Sequence, residues 1–299
     1  MKQNPVYKRE ARVAARSLKL PVLLTVFNAI LCLVALLNMY FAVSQVKATA
    51  TIEYVSFMDM YRFVASIEFA LLILIVPSVT ASAISGERER QTLELMLTTQ
   101  MTPGQIVTGK LMSALSTLIL LVCSSFPALM LVFVFGGITL PNLVKLVLCY
   151  GAAALLAGSL GLFFSAAIRR SVLSTVATYV TLTVLVGGTY LLNHFLYNIS
   201  LNQYQSYGGD FSQAIGSEPS SGASFWSFLL NPAATFYAVI MGQTGSGNGV
   251  SALGNVFGVR TGRMCELLWI PVSLGLQIAI AALLLYLAIR FVSPTRRRK

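Results

Sequence analysis

Charged side chains are scarce in this chain, so the positions of the few present carry information. Of 299 residues 10% are charged, ten are acidic and one is histidine. Five of the charges, Glu87, Arg88, Glu89, Arg90 and Glu94, fall within eight residues, interleaved with Thr92 and followed by the apolar Leu93, Met96 and Leu97. A short helix with a narrow apolar stripe beside charges, tied to the segments on either side, is suited to receive a push from a soluble partner. Glu68 stands alone in an apolar stretch, roughly 9 Å of helix from Arg62. An ionisable group so placed faces a cavity or a partner, which gives it either a structural pairing or a substrate or gating role. Catalytic chemistry has little to draw on. Cys32, Cys123, Cys149 and Cys265 form no CxxC pair and have only His194 to assist them, so neither a metal site nor a thiol catalyst is expected. A disulfide between Cys149 and Cys265 stays open, and His194 reads as a hydrogen-bonded interface residue. No acid, base and nucleophile gather at one depth, which argues against a membrane-embedded enzyme.

One motif is misleading. Gly104 to Lys110 nearly matches the nucleotide-binding pattern G-x-x-x-x-G-K-[ST], but Leu111 has no hydroxyl for magnesium and no strand precedes the run. The chain also has too few soluble residues to house an ATPase domain.

The elements that hold these residues are set by hydropathy. With 56% hydrophobic residues and a mean hydropathy of +0.77, the chain is neither a soluble domain of ordinary surface nor a disordered segment. A span needs about 20 mostly apolar residues, because lipid satisfies no backbone group. Six stretches qualify: residues 20–46, 63–86, 111–144, 146–168, 171–209 and 267–289. Gly136-Gly137 and Pro141 are expected to end the third, and 193–202 with the Tyr/Gln/Ser/Gly run that follows to end the fifth. A further run, 225–241, is split at Asn231-Pro232 and reads as a re-entrant or interfacial pair of short helices within an outer loop, 197–266. Pro77, Pro127 and Pro271 lie within spans, where each can free a carbonyl and bend its helix, in a moving gate or in a static bundle. The 242–255 stretch has linker composition and could close over a substrate exit. Asn198-Ile-Ser200 fits the glycosylation pattern and is taken as chance.

Six spans put both termini on one side, together with 16 of the 21 basic residues, which makes that side cytoplasmic by the positive-inside rule. The net charge of +11 is thus mainly topological rather than a nucleic-acid-binding face. Residues 1–19 form an interfacial amphipathic helix and not a cleavable signal peptide: Asn4 caps it, Pro5 takes the first helical position, and Tyr7, Ala11, Ala14 and Leu18 share a face opposite Lys8, Arg9, Arg12, Arg16 and Lys19. Residues 20–291 form the membrane domain, and 292–299 a basic cytoplasmic tail.

The cytoplasmic loop 85–110 reads as helix, break, helix. Ser85 is expected to cap the first helix, with Glu87 and Glu89 in its first turn, and Thr102, Pro103 and Gln105 to start the second with a capping box. The pattern Glu87-Arg-Glu-Arg-Gln-Thr92-Leu93-Glu94, then Thr102-Pro103, Ile106 and Gly109-Lys110, resembles the signature loop of type-2 ATP-binding-cassette (ABC) exporter permeases. Gln91 stands where that family often has glycine, and Gln100 where proline is common. The resemblance implies an all-α, type V exporter-like fold in a cell membrane, plasma or inner. In it, Glu87, Arg88, Glu89, Arg90, Thr92, Leu93, Glu94, Met96 and Leu97 form a coupling helix seated in an ATPase subunit. It implies two such ATPase subunits, which bind the ATP and magnesium that this chain does not, and a second permease copy or paralogue. Transport by alternating access would use Glu68, Pro77, Pro127, Asn231 and Pro232 as path or gate. The competing reading is a non-transporting sensor or immunity protein that recruits an ABC ATPase through the same loop.

Overall fold

A computed structural model describes residues 5–49, 55–98, 101–136, 139–206, 219–245 and 249–293. Among these the chain is helical: α1 (Pro5–Arg16), α2 (Lys19–Thr49), α3 (Val55–Thr80), α4 (Ser85–Glu89), α5 (Thr92–Thr98), α6 (Pro103–Gly136), α7 (Leu140–Ala167), α8 (Ser171–Thr183), α9 (Thr189–Ser206), α10 (Pro232–Gln243), α11 (Gly249–Val256) and α12 (Arg263–Val292). A π-helical turn, Val184–Gly188, joins α8 to α9, and a 3₁₀ helix, Gly222–Leu230, precedes α10. Six segments are long and apolar enough to cross a membrane: Leu20–Phe41, Tyr61–Glu89, Pro103–Pro127, Leu140–Ala167, Ser171–Ser206 and Leu267–Val292. This is an all-α membrane protein.

The boundaries correct the sequence reading where local chemistry outweighs hydropathy. The fourth span begins at Leu140 rather than 146, because Pro141 sits in the first turn of α7, where its missing N–H is no loss. The helix of the second span stops at Thr80; residues 81–84 turn before α4 resumes. The fifth continues helical through Asn202 to Ser206, inside the polar run expected to end it. Asn4, Gln100 and the tail beyond Ser293 lie outside the described residues.

The chain divides into two compact units, Met1–Tyr179 with Ile280–Lys299, and Val180–Ala279. In the first, α3 packs against α6 and α7, α2 lies on α3 and α6, and α1 rests on α6. α7 is the most buried of the spans, and its small residues explain why. A Cβ at Gly161 would lie 2.1 Å from Thr80 Oγ1 and 3.1 Å from the Ala81 nitrogen, so only glycine admits this close approach of α3 and α7.

In the second unit, Phe225, Phe228, Ala234, Ala238, Val250, Leu253, Phe257 and Trp269 form the core. The 3₁₀ helix and α10 are two short helices that meet at a 93° bend at Asn231, where the sequence placed the break. The run of linker composition does not stay a linker where it is described: from Gly249 it is the helix α11, with Val250 and Leu253 buried. A Cβ at Gly249 would meet the Ala238 carbonyl at 1.7 Å, so α11 lies directly on α10.

Candidate functional site

The loop residues singled out by sequence are held in the first unit by a set of cross-span bonds centred on Lys110. This lysine begins the apolar part of α6 and is 7% exposed. Its Nζ lies 2.9 Å from Glu87 Oε1 on α4 and 3.3 Å from Glu10 Oε1 on α1. One cation thus joins three elements that are far apart in sequence. The same geometry answers the near-match to a nucleotide motif: residues 104–110 are continuous helix rather than a phosphate-wrapping loop, and the lysine is held by two carboxylates.

The next two residues are used just as internally. Arg88 Nη1 donates to the Ala166 carbonyl at 3.2 Å, in the last turn of α7. Glu89 accepts from the backbone N–H of Ser171 at 2.8 Å and from its hydroxyl at 2.7 Å, at the first residue of α8. Cation at a helix C-terminus and anion at a helix N-terminus are the placements that the macrodipole favours. Adjacent residues of the loop therefore close the two helix ends that flank residues 168–170. The Ser171 hydroxyl, its N–H and the charge of Arg170 hold the Glu89 carboxyl below its ordinary range.

The start of α4 is capped, but not by Ser85. The backbone N–H groups of Ile84 and Ser85 both donate to Ser165 Oγ of α7 at 2.9 Å, and Ser85 itself is the first helical residue, buried beside that hydroxyl. The orphan N–H groups of α4 are met from another span, which corrects the local cap read from sequence. The capping box of α6 forms as expected: the Thr102 N–H donates to Gln105 Oε1 at 3.1 Å and the Gln105 N–H to Thr102 Oγ1 at 3.3 Å.

The apolar stripe of α5 also points inward. Leu93 is buried with Ile84, Val107, Leu111, Leu162 and Ala166, and Met96 with Val6 and Ile106. The resemblance counts both in a helix seated in an ATPase subunit, and both fill the core of this unit. Thr92 Oγ1 donates back to the Glu87 carbonyl at 3.1 Å, and the side chain of Leu97 lies outside the described ones. On the surface of the loop stand Arg90, Gln91 and Glu94. Gln91 has φ +59°, the left-handed conformation that glycine adopts freely. On α1 the packed face is Val6, Tyr7, Glu10, Ala11 and Ala14, while Leu18, assigned to it by spacing, is 81% exposed in the break before α2.

Of the residues proposed for a path or gate, Glu68, Pro77 and Pro127 belong to the first unit and Asn231 and Pro232 to the second. Glu68 is fully buried where α3, α6 and α7 meet. The Ser125 hydroxyl of α6 donates to its Oε1, and the Tyr150 hydroxyl of α7 lies 3.4 Å from its Oε2 and 2.9 Å from the Ala65 carbonyl. Arg62 pairs instead with Asp59 at 2.9 Å. Pro77 is buried within α3, and Pro127 is exposed on α6 two residues beyond Ser125. Cys149 is a buried free thiol; the side chain of Cys265 is outside the described ones.

Asn231 and Pro232 belong to the second unit, at the 93° corner. Asn231 Oδ1 accepts from the N–H of Ala233 at 2.8 Å and of Ala234 at 3.4 Å, capping α10. Its Nδ2 donates to the Val186 carbonyl at 3.0 Å and to Thr189 Oγ1 at 2.7 Å. A π turn leaves a carbonyl without its usual helical partner, and here the corner residue supplies one. Asn193 makes a second tie, donating to the Ser224 carbonyl and Ser227 Oγ, both at 3.1 Å. His194 Nδ1 lies 3.0 Å from Asn198 Nδ2, a hydrogen bond one turn along α9.

Sequence reasoning missed Glu10, Lys110, Ser165 and Ser171 as members of this assembly. Lys110 carried a signal, a basic residue at the head of an apolar helix with acids on two neighbouring segments; the serines carried none, since their role depends on which helix ends they meet. A family model described as ABC-2 family transporter protein matches residues 4–292, nearly the whole chain. No curated protein matches it. Six membrane helices, the loop that clasps their ends and this match agree, and the chain belongs to the ABC-2 transporter family as a multi-pass membrane permease.

Proposed function

We propose that this permease is the membrane subunit of an ABC exporter, moving its substrate by alternating access as ATP is hydrolysed in a separate ATPase subunit. The family implies an ABC ATPase as partner; the reading adds two copies of it, a second permease copy or paralogue, and both termini in the cytoplasm of a cell that carries the protein in its plasma or inner membrane. ATP and magnesium belong to the ATPase.

The observation that carries the reading is that Glu87, Arg88 and Glu89 bond α6, the end of α7 and the start of α8 in turn. A push on α4 and α5 would be delivered to three spans at once, without a slack connection. Docking on the ATPase then falls to the exposed Arg90, Gln91 and Glu94, while Thr92, Leu93 and Met96 transmit force inward. Glu68, at the junction of three spans, and the Asn231-Pro232 corner would shift as the spans move, with Pro77 and Pro127 as points of bending.

The test is a tagged purification from the native host in mild detergent, comparing wild type with an Arg90→Glu, Glu94→Lys double variant. An ABC ATPase that accompanies the wild type and is lost from the variant supports docking through this face. No ATPase with the wild type, even after crosslinking, overturns the reading. Substrate-stimulated ATP hydrolysis by the complex separates a transporter from a sensor.

A further inference from the structure

The two tryptophans of the chain stand together in the second unit, their ring centroids 5.8 Å apart. They line an apolar groove of about 240 Å³ with Leu229, Met264, Leu268 and Val272. That is below the roughly 300–1,000 Å³ of pockets that hold a drug-sized molecule, and it suits one hydrocarbon chain. Trp226, Met264, Leu268 and Val272 expose about half or more of their surface, so the groove opens outward from the protein.

A second observation concerns Trp269, which is 2% exposed. Its indole N–H is buried and has no hydrogen-bond acceptor among the described residues. A donor without an acceptor is costly in a membrane, where water does not replace the lost bond. Trp269 lies six residues into α12, or about 9 Å of helix from its start at Arg263. Tryptophan favours the boundary between headgroups and hydrocarbon, where one end of the ring is apolar and the other meets a polar group.

We propose that this groove binds one acyl chain of a glycerophospholipid, from the leaflet that meets the start of α12, and that the lipid's ester carbonyl accepts a hydrogen bond from Trp269 Nε1. The chain replaces the exposed faces of Leu268 and Val272. The carbonyl reaches the covered N–H as the rim side chains Trp226 and Met264 turn aside, which the unbranched Met264 does at small cost.

Both tryptophans line the groove, so their fluorescence reads it directly. The full-length protein is reconstituted in phosphatidylcholine vesicles with a graded fraction of chain-brominated lipid, which quenches at short range, in ester-linked and in ether-linked form. The ether lacks the carbonyl. The expected result is quenching that saturates at a low fraction of the brominated ester, with the ether roughly twofold to tenfold weaker, the effect of one net hydrogen bond. In Trp269→Phe, where Trp226 still reports, ester and ether become equal. Quenching that rises in proportion to brominated lipid, or equal binding of ester and ether by the wild type, overturns the proposal. So does an absence of quenching, as when a second copy of the chain covers the groove.

Discussion

Lys110 shows how one side chain can decide whether a loop is rigid. It holds Glu87 and Glu10 on two other elements, and the second oxygen of Glu87 is buried without a partner among the described residues. Removing the cation leaves the carboxylates of Glu87 and Glu10, whose side chains are 17% and 33% exposed, without their shared partner. Lys110→Met should therefore lower stability by roughly 3 kcal/mol, the order found when one partner of a buried ion pair is deleted. Thermal unfolding in detergent checks it, and Lys110→Met combined with Glu87→Gln should recover part of the loss. Glu89 makes a different prediction because it is exposed and its bonds go to Ser171. With its folded-state pKa below the ordinary value of 4.5, its contribution is present above that value and is lost as pH falls through the lower folded one. Amide exchange at the start of α8 should be faster in Glu89→Gln than in wild type at neutral pH, and the difference should vanish on acidification. A difference that persists in acid would mean that the carboxylate is not what caps α8.

At the scale of elements, the turn between α4 and α5 and the contact between α3 and α7 are each fixed by one residue. Gln91 takes a left-handed conformation that costs an L-residue about 1–2 kcal/mol. Gln91→Gly should stabilise the protein by about 1 kcal/mol, part of the relief being offset by the greater freedom of glycine in the unfolded chain. An unfolding midpoint that falls would contradict the assigned backbone. Gly161 lies where α7 meets Thr80 and Ala81. Gly161→Val should destabilise by about 1–3 kcal/mol through overpacking, while Gly151→Ala, with nothing within 4 Å of the new methyl group, should be tolerated. Paired melting curves for the two variants test the contact.

For the whole molecule the sharpest expectation is topological. With six spans, α1 and the end of α12 share a side, and the C-terminal end of α9, where Asn202 is exposed, lies on the other. In a cysteine-free background, Ser17→Cys and Ser293→Cys should resist a membrane-impermeant thiol reagent applied to intact cells, and Asn202→Cys should react. The reverse pattern would invert the orientation, and a split between Ser17 and Ser293 would require an odd number of spans.

Hydropathy and charge, read in order along the chain, were enough for the six spans, the amphipathic head, the capping box at Thr102 to Gln105 and the break at Asn231-Pro232. Each depends on residues within one or two helical turns of each other, so the sequence contains the whole of its cause. The loop was legible as a separate element for the same reason, but not the direction in which its side chains point. Leu93 and Met96, which the resemblance counts in a helix seated in an ATPase subunit, are core, Ser85 looked like a cap and is capped by Ser165, and Glu87 is the partner of a lysine 23 residues away. The tertiary structure decided these because a short amphipathic helix has one apolar face and two surfaces that could bury it, another protein or its own spans. Which surface wins depends on the proximity of α1, α6 and α7, and that proximity exists only once the helices have packed.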